Sequence, residues 1–280
     1  MKVEVVNQSI LEKKIAALKK GGADALQIVT DFDRTLTPAQ LNGYEAPNSA
    51  GVLAMSGQLD PKFTVLSDEL FRKYFPIEID PHMPIAEKLP LMEEWMMTVF
   101  KALATSGLSK KTVKAIIDIG LLRLRDGVDK FFKLARSSDI PLVIFSAGIG
   151  NTILELLLTN GMKSDNVHII SNMLAYDKDG NATGELEGEF VNILNKSEVA
   201  IHEHYFYEEL LSRPNVLLIG DSPRDTEMSK GIPHENVLRI GLLNHYSEAK
   251  YQQFTQAYDL VLHGDGDFSE INKILLDIIR

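Results

Sequence analysis

Leu26-Gln27-Ile28-Val29-Thr30-Asp31-Phe32-Asp33-Arg34-Thr35-Leu36-Thr37 opens with a short strand-forming run and then sets two carboxylates two residues apart. A run that is nearly continuously apolar suits a strand buried on both faces, as in a parallel sheet. Similar runs recur downstream. Leu142 to Phe145 ends at Ser146, Val167 to Ile170 at Ser171, Val216 to Ile219 at Gly220-Asp221, and Val237 to Ile240 at Gly241; Leu260 to Leu262 follows. Helical patterns lie between or after them, at Thr152 to Asn160, Ser197 to Leu211 and Phe268 to Ile279. Strands alternating with helices predict an α/β fold with a doubly wound, parallel, Rossmann-like sheet. Ligands in such a sheet bind beyond the carboxyl ends of the strands. Most of these runs end there in Asp, Ser or Gly-Asp.

Two segments break the alternation. Residues 42–125 hold no strong strand and read as helices at Thr64 to Tyr74, Ala86 to Ser106 and Ser109 to Leu122. They predict an inserted helical cap domain, residues 46–125, that sets substrate specificity, with 1–45 and 126–280 forming the α/β core. Met173 to Phe190, with Asp177-Lys178-Asp179-Gly180 at its turn, predicts a β-hairpin. Met1 to Lys20 reads as a charged, helix-like stretch.

The totals narrow the function classes. The 280 residues are 45% hydrophobic and 24% charged, the balance of a globular protein. The net charge is −10, from 29 basic and 39 acidic residues, which disfavours polymeric nucleic acid as a partner because phosphate neutralisation needs a basic face. There is no cysteine, so thiolate chemistry, disulfides and cysteine-held zinc are excluded. No run approaches the roughly 18 apolar residues of a membrane span, and the first residues lack a signal-peptide block. A cytoplasmic location, no membrane partner, and a monomer or weak oligomer are the expectations. Sequons at Asn7, Asn181 and Asn195 carry little weight without a signal peptide.

Four strings carry the chemistry. In Asp31-Phe32-Asp33, one carboxylate can attack phosphorus while the other handles protons, and the two point the same way if strand geometry continues. In isolation such a pair is most often solvated. Phe145-Ser146-Ala147-Gly148-Ile149-Gly150 offers a hydroxyl and free amides to a phosphate, though alone it reads more readily as a helix cap with turn glycines. Lys196 opposes the dipole of the helix expected to follow it, so it is not placed for helix stability, though alone it reads more readily as a solvated surface lysine. Leu218-Ile219-Gly220-Asp221-Ser222-Pro223-Arg224-Asp225 supplies oxygens of the kind Mg²⁺ takes, Asp221 as a direct ligand and Asp225 through water or in support, though alone it reads equally as a loop with a helix-capping Asp.

In this order the four strings resemble the haloacid-dehalogenase-like phosphohydrolase superfamily. Over nearly its whole length the chain is similar to the cytosolic 5′-nucleotidase III family, the pyrimidine 5′-nucleotidases. The likeness rests on Leu26 to Thr37, Tyr74 to Pro81 (YFPIEIDP), Met92 to Trp95 (MEEW), Phe145 to Gly150 (FSAGIG), Asn195-Lys196, Leu218 to Ser222 (LIGDS) and Tyr258 to Leu262 (YDLVL).

The resemblance implies Mg²⁺-dependent hydrolysis of nucleoside 5′-monophosphates through an aspartyl-phosphate on Asp31. Asp33 would serve as acid and then base. Asp31, the Asp33 carbonyl, Asp221 and Asp225 would surround the metal; Ser146, Ala147 and Lys196 would bind phosphate; Glu78 would reach the base. Phosphotransfer to a second nucleoside would use the same residues.

The chain departs from the family pattern where animal members carry Ser-His, having Val99-Phe100, and Met96 replaces a usual aromatic. These changes leave the preferred base open between pyrimidine and 7-methylguanine, and Phe100 either stacks on it or belongs to the core. The rival readings are a phosphatase of another small metabolite and a catalytically silent nucleotide-binding module; an intact Asp33 speaks against the second.

Overall fold

The computed structural model describes residues 2–188, 190–192, 194, 196, 202, 204–230 and 233–280. The sheet strands are β1 (Lys2–Val5), β2 (Leu26–Thr30), β5 (Leu142–Ile149), β6 (Val167–Tyr176), β7 (Ala182–Glu187), β8 (Asn215–Gly220), β9 (Asn236–Leu243) and β10 (Leu260–His263). A two-stranded ribbon, β3 (Gln40–Leu41) and β4 (Tyr44–Glu45), lies apart from them. The helices are α1 (Gln8–Gly21), α2 (Gly51–Met55), α3 (Pro61–Ile79), α4 (Ile85–Thr105), α5 (Lys110–Asp118), α6 (Val128–Ser137), α7 (Gly150–Thr159), α8 (Tyr207–Leu211), α9 (Glu248–Ala257) and α10 (Ser269–Ile278).

The sheet order is β1-β10-β9-β8-β2-β5-β6-β7. The six inner strands, β10 to β6, pair in parallel, and β1 and β7 close the edges antiparallel. From β2 the chain builds outward through β5 and β6, then returns to the other flank with β8. That reversal beside β2 is a topological switch point, where an open α/β sheet forms its ligand crevice. Neighbouring strand residues serve opposite faces. Ile28, Ile144 and Leu217 join one apolar cluster, Val29, Val143 and Leu218 the other. Both faces are covered, which is why the runs read as continuously apolar.

The amino terminus differs from its expected form. Lys2 to Val5 is an edge strand, and only then does α1 begin, capped by the Asn7 side chain on the Ile10 amide. The expected helix over Ser197 to Leu211 lies largely outside the described residues; α8 is its described end. The hairpin forms as expected, with Asp177 accepting amides from Asp179 and Asn181 at its turn.

Between β2 and β5 come the ribbon and α2 to α5. α3 runs through Pro76 to Ile79, beyond the expected end at Tyr74. Proline there removes one internal bond without ending the helix, since neighbouring turns hold it. Phe63, Phe100, Leu103 and Ile116 from this segment join the apolar cluster that contains Leu36 and Leu174. Phe100 is fully buried, which settles the alternative left open above in favour of packing. The hairpin anchors the same segment: Ala182 donates its amide to the Leu108 carbonyl, and Lys110 to that of Gly180. Among the described residues, no helix is long and apolar enough to cross a membrane.

Candidate active site

The loop after β2 is built in a few steps. The Asp31 amide bonds to the Ile219 carbonyl of β8 at 3.0 Å, so Asp31 stays locked to the sheet. Strand geometry ends at Thr30, and the chain turns through Phe32, whose fully buried ring anchors the loop. Arg34 then takes a left-handed conformation with φ 62°, and its amide bonds to Thr37 Oγ1 at 2.8 Å. Because the strand does not continue, Asp31 and Asp33 do not work as parallel neighbours. Each meets a different partner.

Asp31 meets Lys196 and two further aspartates. Lys196 Nζ bonds to Asp31 Oδ1 and, at 3.1 Å, to Asp225 Oδ1. Carboxylate oxygens of Asp31, Asp221 and Asp225 lie within 4.8 Å of one another. Asp31, Lys196 and Asp225 are 5%, 4% and 3% exposed. Three acidic groups thus face one ammonium in a dry setting. Burial, and then the other carboxylates, push Asp221 well above the usual carboxylate range. Burial likewise raises Asp31, to about 7, with Lys196 pulling against it. Burial alone would depress Lys196, but Asp225 and Asp31 overturn that and keep it protonated.

This donor set fits a hard divalent cation. It is all oxygen, and it carries more negative charge than Lys196 can neutralise. The fit is uneven, however. Asp225 already spends Oδ1 on Lys196 and Oδ2 on the amides of Asp221 and Ser222, at 3.1 and 2.9 Å. That suits it to shaping the loop more than to direct ligation. Among the described residues, none donates a hydrogen bond to the Asp221 carboxylate. Gly220 makes the arrangement possible, since a Cβ there would fall 2.5 Å from Asp225 Cβ.

Asp33 meets Ser49 instead. The Ser49 amide donates to Asp33 Oδ1 at 2.7 Å and its hydroxyl to Oδ2 at 2.6 Å. Burial raises Asp33, and the two Ser49 bonds pull it back. Ser146 sits in an irregular stretch of β5 between Phe145 and Ile149, one strand over from Asp31. The strand continues past Ser146, so Ser146 is not a helix cap; its hydroxyl accepts the Gly148 amide at 3.1 Å. Lys196 is described, but its neighbours Asn195 and Ser197 lie outside the described residues.

Glu78 is on α3, away from this cluster. Its carbonyl, with that of Asp80, accepts from the buried Lys88 ammonium, which fixes the end of the helix. Burial raises its carboxyl, while the charges of Lys88 and Arg224 pull it down. Arg224 lies between Asp221 and Asp225 in the chain, and it is the charge of this arginine that reaches Glu78. One turn earlier on α3, Tyr74 stacks on Trp95 at 5.6 Å between ring centroids.

Sequence reasoning missed Ser49 and Arg125. Arg125 Nε binds the Thr35 carbonyl, Nη2 that of Arg34, and Nη1 pairs with Asp265 at 2.5 Å. A serine in a turn-forming string and an arginine among leucines carry no local signal. Only the chain's return to the Asp31 loop gives them their partners.

A profile of the pyrimidine 5′-nucleotidase (UMPH-1) family matches residues 34–279. The chain belongs to that family. The rat 7-methylguanosine phosphate-specific 5′-nucleotidase is 34% identical over 271 residues, 96% of this chain and 90% of the rat protein. Its human counterpart is 34% identical over 270 residues, again 96% of this chain and 90% of its own. The crystal structure of cytosolic 5′-nucleotidase IIIB bound to cytidine superposes with a TM-score of 0.89 at 30% identity, covering 99% of this chain and 93% of that one. A phosphoserine phosphatase in a phospho-aspartyl intermediate analogue form has the same fold, with a TM-score of 0.52 at 18% identity over 89% of this chain and 97% of its own. The family profile begins just after Asp31 and Asp33, so the placement of these two stands on the site's own geometry.

Proposed function

We propose that the chain is a 5′-nucleotidase that hydrolyses nucleoside 5′-monophosphates to nucleoside and phosphate. The observation that carries this is the buried Asp31 carboxylate at the switch point of the sheet, bonded to Lys196 and within 4.8 Å of Asp221 and Asp225 oxygens, in a chain of this family.

The reaction follows from the residues. An Asp31 oxygen attacks phosphorus in line, and the bond from phosphorus to the nucleoside oxygen breaks. Asp33 gives that oxygen a proton, so nucleoside leaves as an alcohol. Asp33, now a carboxylate, takes a proton from water as the water oxygen attacks phosphorus, and the bond to Asp31 breaks. Phosphate leaves and Asp33 is protonated again. Lys196, the Ser146 hydroxyl and the Ala147 amide hold the phosphate oxygens. Mg²⁺ would be held by Asp31, the Asp33 carbonyl and Asp221, with Asp225 shaping the loop, and would supply positive charge to the phosphate oxygens.

We assign residues 46–125 as the cap that selects the base, and 1–45 with 126–280 as the catalytic core. Glu78, whose main-chain carbonyl is fixed by Lys88 and whose carboxyl lies within reach of the Arg224 charge, is the base contact. The relatives include nucleotidases named for 7-methylguanosine phosphate, and a structural neighbour holds cytidine. Both base classes therefore belong in the test.

Phosphate release is measured from CMP, UMP, GMP and 7-methylguanosine monophosphate, with and without Mg²⁺. Release from at least one, dependent on Mg²⁺ and reduced about 10³-fold or more by Asp31→Asn, is the expected result. Near-full activity of Asp31→Asn sinks the nucleophile assignment. No release from any of the four, with release from another phosphomonoester, moves the substrate outside nucleotides.

A further inference from the structure

Asp33 has to do two things in turn, and its carboxylate must face the reacting phosphate for both. What aims it is neither its own loop nor the sheet. Both of its oxygens are gripped by Ser49, through the amide at 2.7 Å and the hydroxyl at 2.6 Å. Ser49 is fully buried and is itself fixed. Its carbonyl accepts the Thr152 hydroxyl of α7 at 2.7 Å, and that hydroxyl lies 2.8 Å from the Ile149 carbonyl as well. Gly148 leaves the space Ser49 needs: a Cβ there would stand 1.8 Å from Ser49 Oγ and 2.9 Å from Asp33 Oδ2. Core residues on two elements thus converge on one serine.

Ser49 also lies in the chain that leads from the core into α2, the first helix of the insert. The chain that leaves the insert grips the same loop. Arg125 binds the Arg34 and Thr35 carbonyls through its guanidinium and the Leu36 carbonyl through its amide. Both connections between core and insert therefore terminate on residues 33–36. A displacement of the insert that shifts Ser49 shifts the bonds that aim Asp33.

We propose that Ser49 is the positioning residue of the acid–base carboxylate, and that through it the seating of the helical insert governs proton delivery to the leaving nucleoside. Each carboxylate oxygen has two lone pairs. A proton can sit on the side facing the substrate while both Ser49 bonds persist. As the proton leaves, both bonds become charge-assisted and strengthen, so Ser49 contributes more after proton transfer than before it. This proposal rests on the phosphatase chemistry above, and within it Ser49 acts only through Asp33.

The test uses two leaving groups and a double-mutant cycle in the full chain. A nucleoside is a poor leaving group that needs the proton, whereas p-nitrophenolate leaves without it. Ser49→Ala is expected to lower kcat about 10- to 100-fold on a nucleoside monophosphate with KM little changed. On p-nitrophenyl phosphate the loss should stay within about threefold. In an Asp33→Asn background, Ser49→Ala should cost nothing further on the nucleotide, because its target is gone.

Thr152→Val leaves Ser49 and Asp33 intact and should show a smaller loss with the same substrate preference. Equal losses of Ser49→Ala on both substrates, or the full loss persisting in the Asp33→Asn background, would overturn the proposal. If no nucleotide is hydrolysed at all, the same comparison made with glycerol phosphate against p-nitrophenyl phosphate reads Ser49 independently. The nucleotide assignment can then fail while the positioning role stands, or the reverse.

Discussion

At the carboxyl end of the sheet, Asp31, Lys196 and Asp225 are no more than 5% exposed and are bonded to one another. In the helical insert, Glu78 is half-buried, and Val65, Phe71 and Ile79 stand 50–60% in solvent. Charges in the first region exist only as a set, because each would be too costly to bury alone. Side chains in the second have fewer obligations to one another. Under the proposed division of labour, the core set tolerates little change, and the more exposed insert is the part free to vary.

The largest effect should come from breaking the core set at Lys196. Lys196→Met leaves the buried Asp31 and Asp225 without their bonded cation and removes the proposed phosphate ligand. Activity should fall about 10³-fold or more. Breaking a buried pair on one side also costs about 3–5 kcal/mol, so the metal-free protein should melt roughly 10 °C lower. Adding Asp31→Asn to Lys196→Met should restore part of the melting temperature, since one unpaired charge is gone. Thermal melts of the four proteins without Mg²⁺ check this; strictly additive losses would show that the charges do not depend on one another.

His168 sharpens the same rule from the other side. It lies on β6, is 3% exposed, and is stacked on Phe206 at 4.2 Å. Burial holds it down to about 4, and the charges of Lys163 and His204 add to that. Glu209, 3.6 Å from Nε2 and 41% exposed, does not offset it. Lys196 keeps its charge because carboxylates surround it; His168 folds neutral. Between pH 6.5 and 4 the unfolded chain takes up this proton and the folded chain does not. Stability should therefore fall as pH drops through that window, by about 2–3 kcal/mol for this group at pH 4.5. His168→Phe should flatten that part of the profile, read as urea midpoints at pH 7 and 4.5. An unchanged slope would show that the group contributes nothing there.

The two regions also differ in how far the sequence exposes them. Asp31 and Asp221 are legible because each follows an apolar strand, and strand ends in a doubly wound sheet gather at one edge. Lys196 is legible only beside them. Ser49 and Arg125 are not, because their partners lie 16 and about 90 residues away along the chain. Phe100 shows the same limit within the insert. Its neighbours in sequence do not say whether it faces a ligand or the interior, and only the packing of α4 against β7 decides. The edge strand Lys2 to Val5 escapes notice because its four residues alternate charge and valine beside a strong helix.

The smallest effect lies in the insert and tests whether it stands apart from the chemistry. Glu78→Gln keeps size and removes the charge that would meet a base N–H. A hydrogen bond to a charged group is worth about 1.5–3 kcal/mol, and glutamine still offers a carbonyl, so only part of that is lost. KM for the preferred nucleotide should rise about tenfold with kcat nearly unchanged, the pattern of a lost uniform binding contact. On p-nitrophenyl phosphate, which has no base, neither constant should move. The variant should also discriminate less among the four nucleotides, because an unpaired buried group rejects poor partners more strongly than a good contact holds the right one. A drop in kcat on both substrates would place Glu78 in the chemistry and erase the contrast between the two regions.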